Sequence, residues 1–149
     1  MDCWQQIYPA AEDRFSKADD QAMVLRGNIR GTKILLLSDL GRSGQSALLN
    51  ESTNLSADIV VSGIPGGNEP LCDELIKASQ PKVIIITDSE FPANLRVNTV
   101  LHERLESHGV PVIYTRTAGA VTILFNNGGW EIRTMNTAYF IPKHEPEQY

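Results

Sequence analysis

A mixed-sheet α/β domain is the architecture this sequence predicts, and three patterns carry the prediction. Ala57 to Ser62 reads as a strand, and the β-branched run Lys82 to Thr87 as a central strand buried on both faces. Segments with apolar residues at helical spacing alternate with them. Glycine-turned strand pairs flank this middle at both ends, which argues against a purely doubly wound sheet.

Residues 1–17 form a mixed, polar lead-in anchored by Trp4, Ile7 and Tyr8, read as a short strand or loop. Ala22 to Ile29 and Lys33 to Leu37 flank Arg30-Gly31-Thr32, two strands joined by a tight glycine turn. Ser43 to Asn50 reads as a short helix with Ser43 at its cap. The string GIPGGNEP then breaks the Ala57 strand. Asn68 is the expected N-cap of a second helix, with Pro70 in its first turn, where a missing N–H does no harm. Leu71, Cys72, Leu75 and Ile76 give that helix its period through Ser79, and Pro81 ends it. Val97, Val100, Leu101, Leu105 and His108 mark one face of a third helix, closing at Gly109. Three strands follow: Pro111 to Thr115, Ala120 to Phe125 and Trp130 to Thr134, the last two joined by Asn126-Asn127-Gly128-Gly129. The folded unit is expected over 18–135, with 136–149 a polar, proline-containing tail.

With 149 residues, 42% of them hydrophobic, the chain can bury the core of one medium domain. A formal charge of -5 weakens the case for a general nucleic-acid surface, because phosphate binding needs clustered Lys and Arg; a local basic patch stays open. Cys3 and Cys72 match no paired metal-ligand spacing and read as reduced, structural thiols. The N-terminal residues have neither the basic start nor the apolar core of a signal peptide, and no run approaches the ~20 apolar residues that span a bilayer. A soluble domain making no membrane contact of its own is expected, with its localisation open.

Phosphate-loop and dinucleotide glycine motifs are absent, and GRSGQS has its serine one place wrong for a nucleophile elbow. His102, His108 and His144 show no ligand grouping. Asp39, in KILLLSDLGRSGQ, is different. A carboxylate where a central strand runs out is where α/β sheets present ligands and metals. It is equally a turn former that accepts bonds from the N–H groups that follow. Gly63, Gly66 and Gly67 offer either an N–H nest for an anion or a plain loop, since Pro65 removes a donor. Asp88, with Ser89 and Glu90, sits at another strand's end and has the same two readings.

The strings ADDQAMVLR, GTKILLLSDLG, SADIVVSGIPGG, QPKVIIIT and VLHERLESHGVPVIYTRTAGAVTI, in this order over most of residues 18–134, resemble the C-terminal half of the metallo-β-lactamase-like domain of bacterial ComEC-type competence proteins. The resemblance implies half of an αββα sandwich. It also implies that Asp39 matches an aspartate bridging two metal ions, zinc or manganese in relatives. Where the family carries Pro-His-His-Gly-Ser, this chain reads Gly63-Ile64-Pro65-Gly66-Gly67; where it carries a Gly-His-Pro-like loop, this chain reads Leu95-Arg96-Val97-Asn98. The half of the fold with the His-x-Asp-x-Asp-His cluster has no counterpart in the sequence. A dinuclear centre needs several His and carboxylate ligands. The expectation is therefore a catalytically degenerate domain with no cofactor of its own, Asp39 being a vestige, in a structural or interaction role. The rivals are a fragment of an active metal-dependent phosphodiesterase completed by a missing N-terminal half, and a small ligand-binding domain using Asp39, Gly66, Gly67 and Asp88. Half a sandwich leaves one sheet face open, so self-association or a partner domain is expected there. Nucleic-acid contact is left undecided.

Overall fold

The computed structural model describes residues 2–52, 54–66, 69–126 and 129–136. Gly67, Asn68, the centre of the 126–129 turn and the tail beyond 136, on which several of the expectations fall, lie outside the described residues.

Six strands form one mixed sheet in sequential order: β1 (Cys3–Tyr8), β2 (Val24–Ile29), β3 (Thr32–Leu36), β4 (Ile59–Ser62), β5 (Val83–Ile86) and β6 (Val112–Tyr114). The first three pair antiparallel and β3 through β6 parallel, as the flanking hairpin and alternating middle predict. Arg30 and Gly31 make the β2–β3 turn with φ of 49° and 85°, the two positive values that a tight turn matched to strand twist requires.

The helices α1 (Arg42–Glu51), α2 (Asp73–Ser79) and α3 (Thr99–Glu106) supply Leu48, Leu75, Ile76, Leu101 and Leu105 to a core built on Leu35, Val60, Ile84 and Val112. A hairpin, β7 (Val121–Asn126) and β8 (Gly129–Thr134), forms a separate two-stranded sheet and brings Trp130 and Ile132 against Ile34, Ile59, Val83, Ile85 and Ile113. The face expected to stand open thus carries this hairpin. Trp4 remains half exposed there, its ring lying so close over Gly27 that a Cβ would stand 2.6 Å from it.

Several boundaries differ from the sequence expectation. α2 begins at Asp73 behind Cys72, not behind Asn68. The Gln45 side chain fixes the preceding segment, donating to Glu69 O and accepting from Cys72 N, so residues 69–72 cannot wind into the helix. In α3 the Asn98 carboxamide accepts from Leu101 N at 2.8 Å, so Val97 precedes the helix. Val100 points outward, one residue and about 100° from the buried Leu101. Thr115 leaves β6 to start the short helix α4 (Thr115–Ala118), which no periodicity announced. Cys3 and Cys72 are both free thiols, and burial pushes the Cys72 thiol up.

Candidate functional site

The C-terminal ends of the parallel strands gather the residues singled out from the sequence. Leu37 N donates to Val61 O, and the chain then turns through Ser38 in the left-handed region, at φ 51°. Gly63 N donates back to Ser38 O at 2.6 Å. A Cβ on Gly63 would lie 3.0 Å from that oxygen and 3.3 Å from Asp39 Cα, so glycine is what lets the exits of β3 and β4 touch. Asp39 and Gly63 are therefore neighbours, as a shared site requires. Asp88, at the end of β5, stands two strands from Asp39, roughly 10 Å along the sheet edge.

What these groups bond to decides what they can do. Asp39 is exposed, and its carboxylate has no hydrogen-bond or ion-pair partner among the described residues. The turn amides that it was expected to bond are taken by two other aspartates. Gly41 N donates to Asp19 O, and Ser43 N and Gly44 N donate to the buried Asp20 Oδ1 at 3.1 and 3.3 Å. Asp20, not Ser43, therefore caps α1, placing a carboxylate at the positive end of the helix dipole. The glycines of GRSG make room for it: a Cβ on Gly41 would meet Asp20 Oδ1 at 2.4 Å, and one on Gly44 would meet Asp20 O at 2.6 Å.

The glycine loop follows the same logic. Gly66 N donates at 2.8 Å to Asp19 Oδ2, so the amide considered as an anion donor holds a carboxylate of the chain itself. A cavity of about 250 Å³ beside this contact is lined by Lys17, Asp19, Asp20, Gly41, Arg42 and Pro65. Asp88 is buried and accepts from Arg116 N at 2.9 Å and Arg116 Nε at 3.3 Å, fixing the start of α4. Glu90 bridges Arg116 and Arg96 at 3.1 and 2.5 Å.

Donor chemistry at this edge does not suit a dinuclear zinc or manganese centre. Among the described residues no three His, Cys, Asp or Glu side chains come together as metal ligands. Gly66 brings no side-chain donor, and the buried aspartates already hold N–H groups. Sequence reasoning missed Asp19, Asp20 and Arg116. Asp20 caps a helix that starts 22 residues further on, and local cap patterns cannot reveal such a partner.

No family model matches the chain. Two curated relatives do align with it. It is 26% identical over 121 residues to ComE operon protein 3 of Bacillus subtilis (strain 168), covering 81% of this chain and 16% of that protein. It is 22% identical over 127 residues to competence protein ComA of Neisseria gonorrhoeae, covering 85% of this chain and 18% of that protein. The chain spans less than a fifth of the length of each. It is thus a distant homologue of competence proteins, matched over most of its own length.

Proposed function

We propose that this chain is a metallo-β-lactamase-like domain of the kind found in ComEC-type DNA-uptake proteins, catalytically degenerate, with a structural or interaction role. The observation that carries the reading is how the carboxylates at the sheet edge are used. Asp19, Asp20 and Asp88 hold backbone amides, Glu90 pairs with Arg96 and Arg116, and among the described residues Asp39 is exposed with no partner. A lone carboxylate cannot retain two divalent ions against water. The partner contact expected for half a sandwich falls to the apolar groups beside the β7–β8 hairpin that stay partly exposed: Trp4, Leu25, Leu36 and Val61.

Metal analysis of the purified protein by mass spectrometry tests this reading. The expected result is substoichiometric zinc and manganese, unchanged in Asp39→Ala. Stoichiometric metal that disappears in Asp39→Ala overturns it. The length of the relatives supports a second reading, in which the chain completes a phosphodiesterase whose metal ligands come from elsewhere in a longer polypeptide. Under that reading, metal and phosphodiesterase activity appear together once the longer polypeptide is expressed, and both fall with Asp39→Ala.

A further inference from the structure

At the opposite end of the sheet, where the parallel strands begin, β1, β2, β3 and the segment before β4 enclose a cleft of about 300 Å³. Lys33 opens β3 and Asp39 follows its end, so roughly 15–20 Å separate the two regions. Such a volume lies at the lower end of small-ligand sites.

The lining is one-sided in its chemistry. Its two charged residues are Arg26 and Lys33, in a chain whose formal charge is -5. Among the described residues neither has a carboxylate at ion-pair distance, whereas Arg42, Arg96, Arg104, Arg116 and Arg133 all do. Arg26 is instead held by neutral acceptors, Nη1 on Asn54 O at 3.0 Å and Nη2 on Gln5 Oε1 at 2.9 Å. Asp58, which accepts from the Lys33 amide, is charge-paired with Lys82 at 2.9 Å.

The three carboxamides around Arg26 reinforce this bias. Gln5 Oε1 accepts from Arg26, Asn28 Oδ1 from Gly31 N at 3.1 Å, and Asn54 Oδ1 from Ser56 N at 3.1 Å. Guanidinium and backbone N–H groups only donate, so each of these contacts occupies a carboxamide oxygen and leaves its NH₂ group without a hydrogen bond among the described residues. The NH₂ ends are left for a ligand, beside a fixed guanidinium and an ammonium. Donors of this kind, with no competing carboxylate, match an oxyanion.

We propose that this cleft binds a phosphate group, with Arg26 and Lys33 supplying the charge and Gln5, Asn28 and Asn54 the neutral donors. The proposal does not depend on the metal status of the other end of the sheet. Titration calorimetry with inorganic phosphate, a short single-stranded DNA oligonucleotide and phosphatidylglycerol vesicles separates free phosphate, nucleic-acid backbone and lipid headgroup as its source.

The Arg26→Gln, Lys33→Gln double variant is expected to weaken binding of whichever probe the native chain takes by about tenfold or more, while Lys77→Gln, which removes a charge on α2, leaves it unchanged. A second measurement needs no variant: the side-chain NH₂ resonances of Gln5, Asn28 and Asn54 shift on binding. Failure of the native chain to bind any probe at millimolar concentration overturns the proposal. So does a loss smaller than tenfold in a folded double variant, or resonance shifts confined to other residues.

Discussion

At the scale of single residues, two aspartates in one short region have opposite prospects. Asp20 is buried with its carboxylate on the first amides of α1, while Asp39 is exposed and unengaged. Asp20→Ala is expected to remove a cap worth about 1–2 kcal/mol. For a chain of this size that lowers the thermal midpoint by roughly 3–8 °C. Asp39→Ala should stay within about 0.5 kcal/mol of the parent in the same calorimetric experiment. Tyr8 ties into this region as well. Fully buried, it donates its phenol hydrogen to Asp20 O. Burial, together with the nearby carboxylates of Asp13, Glu51 and Asp20, pushes its hydroxyl up to about 12. A folded-state value above the unfolded one contributes stability that is complete below about pH 10 and lost as pH rises towards 12. The loss is about 3 kcal/mol for a shift of this size. Denaturant midpoints measured between pH 9 and 12 should fall in the native chain and stay flatter in Tyr8→Phe.

At the scale of elements, α2 and α3 are joined by one carboxylate. Asp73 Oδ1, at the start of α2, receives His108 Nε2 at 3.0 Å and Arg104 Nη1 at 2.5 Å, while Arg104 Nη2 donates to Leu71 O. The His108 hydrogen bond, followed by that of Arg104, holds the Asp73 carboxyl below its ordinary 3.8. A depressed value means the contribution is present above the unfolded value, near pH 4, and lost as pH falls through the folded one. Asp73 is about half exposed, so the link is worth no more than ~1 kcal/mol. Acid unfolding followed by circular dichroism is expected to begin at a higher pH in the native chain than its neutral-pH stability alone implies, and Asp73→Asn should remove that excess sensitivity below pH 4. Element type was legible from pattern: every long apolar run became a strand and every helical-period segment a helix. Element ends were not. The start of α2 is set by Gln45 and that of α4 by Asp88, partners 27 and 28 residues from the amides they hold.

On the scale of the whole molecule, the sheet is covered on both faces, by three helices on one and a two-stranded hairpin on the other. Two strands do not span six, and the remainder left partly or fully exposed includes Trp4, Leu25 and Leu36. If this remainder seeks a second copy, light scattering should give a mass that rises with concentration, and Trp4→Ser should return it to the monomer value. A constant monomer mass to high concentration would refute self-association and leave a different partner domain as the occupant. No helix among the described residues is long and apolar enough to cross a membrane.

By itself the sequence determined the mixed α/β class and the order of its elements apart from α4, and it singled out the candidate positions Asp39, Gly63, Gly66 and Asp88. Hydrophobic period and glycine placement are local properties, readable wherever the chain lies in space. Tertiary structure alone decided how those positions are used. A hydrogen bond from Gly66 N to Asp19, or from Ser43 N to Asp20, joins residues tens of positions apart. So does the bond from Arg26 Nη1 to Asn54 O, where β2 and the α1–β4 loop meet. No spacing rule encodes such encounters, because they exist only once the sheet has brought its strands side by side.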